Sequence, residues 1–250
     1  MRAAARTRPG RRVAVGLAAL AVLLEVPYPL VAGRTRDLLT IAAVLAFFAA
    51  SATHATAARG PRWAAILVAG AAGTGLAVEA VGTHTGLPFG TYSYDDSLGP
   101  RVLDVPVVIP LAWAMMAYPA LLIGRRIARS RPARALVAGW ALASWDLFLD
   151  PQMVAAGHWV WAHPDPHLPG VPDVPLTNYL GWLVVSVLMM AVLDRLLADR
   201  PAADGVPEAL YLWTFGSSVL ANLAFFGRPE VALWGGLAMG AVVLARWRPR

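Results

Sequence analysis

Glu79, Asp146 and Asp150 lie within or at the end of long apolar runs, where a carboxylate is least expected. An ionisable side chain at bilayer depth costs roughly 2.5–3.5 kcal/mol on insertion scales, so it usually faces a protein interior and has a task. In Trp145-Asp146-Leu147-Phe148-Leu149-Asp150-Pro151 the two aspartates stand four residues apart, which puts them on one helix face and close enough to couple. Two such carboxylates in a low dielectric do not both ionise easily, and an acid that keeps its proton near neutral pH is what general acid catalysis needs. Pro151 is expected to end this helix, with Asp150 near the interface and Asp146 one turn deeper. The plainer alternative is a solvated Asp150 and an Asp146 that only bonds a neighbouring helix.

Glu79 shares a helix face with Gly75 and Gly82, and small residues there let another helix approach closely. It therefore points into the bundle, either for chemistry or for a packing hydrogen bond. Glu25, just before Pro27-Tyr28-Pro29, either joins the same outer cluster or marks a proline-broken helix end. For Asn178 and Asn222, hydrogen bonding between helices is the default expectation.

Several chemistries have no support. There is no cysteine, which excludes thiolate ligands and cysteine nucleophiles. His84, His158, His163 and His167 fall in connecting segments, and His54 stands alone; none has the spacing of a metal site. No nucleotide-binding or nucleophile-elbow motif is present. The expectation is a site without metal or cofactor.

Aromatic residues gather around the acids: Phe89, Tyr92, Tyr94, Trp113, Trp145, Trp159, Trp161 and Trp182. They are either an interfacial belt or the wall of a pocket for a long apolar ligand, where aromatic faces would also stabilise a cation.

The elements that position these residues follow from composition. Apolar residues make up 58% of the chain and charged ones 14%, about half the charged share of a soluble protein. The expected fold is all-α: a single integral membrane domain over residues 1–250, with spans near 12–33, 37–57, 62–82, 105–124, 134–150, 177–197, 208–226 and 230–246. All 21 basic residues are arginine. With the N-terminus inside, seventeen fall in cytoplasmic segments, including a basic tail over 1–11, against four outside (Arg34, Arg36, Arg101, Arg228). That bias predicts a multi-pass cell-membrane protein with both termini inside, and argues against a nucleic-acid partner. The first apolar run is expected to be a retained span and not a cleaved signal, because it is long and carries Glu25.

Only two connections are long, Thr83 to Asp104 and Pro151 to Leu176; both are aromatic-rich and expected outside. They also end alike. Asp104-Val105-Pro106 is followed by Trp113, and Asp173-Val174-Pro175 is followed at the same spacing by Trp182. This suggests a parallel duplication of spans 3–4 and 5–6, as in repeat-built membrane proteins; coincidence in a chain rich in proline and valine is the alternative.

Three stretches together resemble the CruF-type carotenoid hydratases, a group that includes bisanhydrobacterioruberin and γ-carotene hydratases. One is Glu79-x-x-Gly82 with Gly86-x-Pro88-Phe89-Gly90-x-Tyr92-x-Tyr94. The second runs from Val105-Pro106 through Ile109-Pro110-Leu111-Ala112-Trp113 to Tyr118-Pro119. The third joins Trp145-Asp146-x-x-x-Asp150-Pro151 to Gly157-x-Trp159-x-Trp161. The resemblance covers residues 70–225. It implies cofactor-free addition of water to the terminal C1=C2 bond of a linear C40 or C50 carotenoid within the lipid bilayer, in possible association with other carotenoid-pathway enzymes. Chemistry then suggests Asp146 as acid and Asp150 or Glu79 as base. Tyr92, Tyr94, Trp113, Trp145, Trp159, Trp161, Asn178 and Trp182 would contact substrate. The rival readings are a carotenoid cyclase, which starts from the same protonation, and a transporter or carotenoid-binding scaffold without chemistry.

Overall fold

A computed structural model describes residues 8–246; Arg2, Arg6, Arg248 and Arg250, and with them part of the expected basic tail, lie outside that range. Apolar runs in lipid must satisfy their own backbone groups, which leaves helices as the solution for a chain like this. Eight helices are described: α1 Arg8–Glu25, α2 Gly33–Arg59, α3 Pro61–Thr85, α4 Val108–Ile127, α5 Arg131–Ala156, α6 Leu176–Leu196, α7 Gly205–Ala224 and α8 Pro229–Ala245. They form an all-α polytopic bundle. Five segments, corresponding to α1 to α4 and α6, are long and apolar enough to cross a membrane.

The most enclosed helix is α4, in which Trp113, Met116, Ala117, Tyr118 and Leu121 are almost fully buried. Near its end α4 meets α5 closely: a Cβ added at Gly124 of α4 would lie 2.7 Å from the Arg134 carbonyl. The turn between α2 and α3 is Gly60 alone, at φ +98°, a conformation that L side chains rarely adopt.

Two boundaries differ from the sequence expectation. The first α-helix stops at Glu25, because Pro27-Tyr28-Pro29 draw the chain into a short 3-10 turn over Tyr28–Leu30, although the apolar segment continues to Leu30. The fifth does not stop at Pro151: α5 runs on to Ala156 with Pro151 inside it. A proline removes one ladder hydrogen bond, and in membrane helices neighbouring groups compensate for that loss. The carbonyl left without its helical donor is that of Leu147, four residues back; separately, the Arg228 guanidinium donates to the Pro151 carbonyl at 3.0 Å and ties the end of α5 to the start of α8. Asp150 is accordingly 3% exposed and not at a helix end.

The two long connections fold into short strands: β1 Tyr92–Tyr94, β2 Arg101–Val102 and β3 Val105–Pro106 after α3; β4 Trp159–Trp161, β5 His167–Leu168 and β6 Val171–Pro175 after α5. α3 and α5 each end on a left-handed glycine, Gly86 (φ +76°) and Gly157 (φ +83°), the usual device for turning a chain off a helix. Then β2 pairs with β3, and β5 with β6. The connections meet through β1 and β4, antiparallel, with Tyr92 opposite Trp161, Ser93 opposite Val160 and Tyr94 opposite Trp159. Alternation along these strands sends Tyr92, Trp159 and Trp161 inward and leaves Ser93 and Val160 exposed.

A carboxylate cavity under two aromatic strands

Beneath β1 and β4 lies a cavity of about 630 Å³, within the usual size of a small-molecule site. Residues singled out in the sequence line it, namely Glu25, Glu79, Asp150, Phe89, Tyr92, Tyr94, Trp113, Trp145, Trp159, Trp161, Asn178 and Trp182. The aromatic residues are therefore pocket wall and not a lipid-facing belt. Asp146 does not line the cavity; it is fully buried behind the wall.

Glu79 is held by three donors. Tyr92 Oη and Tyr94 Oη donate to Oε2 at 2.5 and 2.7 Å, and Trp113 Nε1 donates to Oε1 at 3.0 Å. The glycines of this face make room for close neighbours, Gly75 for the adjacent helix α4 and Gly82 for strand β1. A Cβ at Gly75 would lie 2.7 Å from the Trp113 ring, and one at Gly82 would lie 2.8 Å from Tyr92 Oη. They make room for two of the side chains that bind the carboxylate between them. Burial, followed by the nearby Glu79 charge, pushes the Tyr92 and Tyr94 phenols up, so both remain protonated donors.

Asn178 joins the aspartates. Its Nδ2 donates to Asp146 Oδ2 at 2.9 Å and to Asp150 Oδ2, which uses both amide hydrogens. This is the helix-to-helix role expected of Asn178, between α6 and α5. Asn222, by contrast, donates within its own helix, to the Ser218 carbonyl. Asp146 Oδ1 has no protein partner. Asp150 is thus the member of the pair that faces the cavity.

The walls are largely indole. Trp113 and Trp182 stack with centroids 3.8 Å apart and planes 6° from parallel, and Trp145 meets Trp182 edge-on. Trp161 Nε1 donates to the Phe89 carbonyl at 2.9 Å, tying the second connection to the first. Such a chamber can hold an apolar ligand beside two carboxyl groups with few competing polar contacts.

Sequence reasoning missed part of the wall. Trp213 of α7 donates to Glu25 Oε2 at 2.6 Å, and both line the cavity. Nothing in the run around Trp213 sets it apart; only the unusual position of Glu25 hinted at this contact.

The model of a family described as "Carotenoid biosynthesis protein" matches residues 38–245. Among curated proteins, a bisanhydrobacterioruberin hydratase from Haloarcula japonica is 36% identical over 166 residues, covering 60% of this chain and 55% of that protein. The chain thus spans about half the length of that relative. No solved structure matches.

Proposed function

The chain belongs to the carotenoid biosynthesis protein family, and from that premise we propose that it hydrates the terminal C1=C2 bond of a linear carotenoid end group. The observation that carries this reading is the pair of carboxyl centres, Asp150 and Glu79, on one aromatic-walled cavity. The hydratase named among its relatives supports it.

Each step balances. Asp150 gives its proton to C2; the π electrons form the new C–H bond and leave a tertiary cation at C1. A water oxygen bonds to C1 and loses a proton to Glu79, giving a tertiary alcohol. The proton on Glu79 then returns to the aspartates, so one water is added with no change of oxidation state and no cofactor is required. Asp146 and Asp150, bridged by Asn178, hold one proton between them because two like charges so close resist joint ionisation. Asp146 acts through Asp150, a positioning role in place of the direct acid role expected of it from the chemistry of hydration. Tyr92, Tyr94 and Trp113 use three of the roughly four acceptor sites of Glu79 and leave it one for the proton of water. Trp145, Trp159 and Trp182 offer ring faces to the cation, and the dry wall limits side reactions.

In our reading the acid-bearing units, α3 to α4 and α5 to α6, are an internal duplication. Glu79 and Asp150 each stand seven positions before the left-handed glycine that ends their helix. The β1–β4 register pairs the first residue of each strand with the last of the other. Trp113 and Trp182, which follow the matching Asp-Val-Pro motifs, stack on each other.

The test is mass spectrometry of pigments from hosts that make C40 or C50 linear polyenes and express the chain. A gain of one or two waters, lost in Asp150→Asn, is the expected result. A product of unchanged mass and altered retention would indicate cyclisation, and no product would favour transport or scaffolding.

A further inference from the structure

The carboxyl centre occupies only part of the cavity. A different wall, built from the end of α1, the turn after it and α7, is also polar. Glu25 accepts from Trp213 Nε1 at 2.6 Å through Oε2. Tyr28, 8% exposed, lines the same cavity, and its hydroxyl is buried with no protein partner. Thr214 and Ser217 lie on this wall as well, but their hydroxyls donate to carbonyls of their own helix.

We propose that Glu25 and Tyr28 form a subsite for an alcohol group carried by the bound polyene. A carboxylate accepts and a phenol can donate, and an unpaired buried hydroxyl is costly until a partner reaches it. A hydroxyl meets both needs at once, giving its hydrogen to Glu25 and accepting from Tyr28. A pure hydrocarbon end meets neither. Trp213 fixes the Glu25 carboxylate in direction, as an orienting residue and not a ligand. The inference rests on the reading of the cavity as a linear-carotenoid site; it does not depend on which carboxyl group moves the proton.

The test uses the full chain in lipid nanodiscs, with binding followed by quenching of its tryptophan fluorescence. Two linear polyenes with one carbon skeleton are compared, one bearing a tertiary alcohol and one without. The wild type is expected to bind the alcohol about tenfold more tightly. Tyr28→Phe and Glu25→Gln should each lose most of that preference while binding the hydrocarbon as before; both substitutions preserve shape, and unfolding midpoints monitor the fold. Asp150→Asn should keep the preference. A wild type that does not discriminate, or a preference unchanged in both variants, overturns the subsite. Preference without hydration in the wild type would instead count against the hydratase reading and leave the subsite standing.

Discussion

Glu79 gives the clearest case of a residue whose partners define its task. Two phenols and an indole converge on one carboxylate from a strand and a neighbouring helix. Glu79→Gln should lower turnover about 10²- to 10⁴-fold, the usual contribution of a general base, with little change in polyene binding. Tyr94→Phe, which removes one of three donors, should cost far less; equal losses in the two variants would contradict the assignment. The acids were legible in the sequence because charge in an apolar run is conspicuous. Their division of labour was not, since helical spacing puts Asp146 and Asp150 on one face without saying which faces the cavity. The cavity wall separates them: Asp150 lines it and Asp146 lies buried behind, while Asn178 bonds both.

At the scale of elements, the two aromatic connections act as one cover because β1 and β4 pair. His158, between the end of α5 and β4, anchors this cover. Its Nδ1 lies 2.6 Å from Ser97 Oγ, and its carbonyl accepts from the Asp95 amide at 2.9 Å. Burial holds the imidazole below its ordinary value of 6.5, partly offset by Asp37 and Asp95. Acid therefore protonates the unfolded segment first, so the contribution of neutral His158 is intact above about pH 6.5 and is lost as the pH falls below it. The unfolding midpoint should drop on acidification through that range, with a shallower slope in His158→Phe; parallel slopes would contradict this. Helix existence was legible from hydropathy throughout. The pairing of β1 with β4 was not, because three-residue strands leave almost no periodic signal. Pro151 misled for a related reason: a local rule about proline does not weigh the tolerance of membrane helices for it.

Across the whole molecule, the far side of the bundle from the cover is held by buried charge. Arg125 of α4 bonds Asp194 of α6 at 2.7 Å and the Leu197 carbonyl at 2.6 Å, and both charged side chains are almost fully buried. Removing one charge leaves the other uncompensated, so Asp194→Asn should cost about 3–5 kcal/mol of stability, read as a fall in unfolding midpoint with pigment specificity retained. The arginine bias further proposes that this face is cytoplasmic and the cover external. With no native cysteine, single-cysteine labelling tests that orientation cleanly: His163→Cys should react with an impermeant reagent from outside intact cells, and Arg129→Cys only after permeabilisation. The reverse pattern would invert the topology.

Protonation of the end group followed by capture of water leaves an isotopic signature that the purified protein can be made to reveal. With a linear polyene in deuterated, oxygen-18-enriched water, the product should carry one deuterium at C2 and one heavy oxygen at C1, and Asp150→Asn should give none. An alcohol whose oxygen does not come from water, or a product without deuterium at C2, would contradict it.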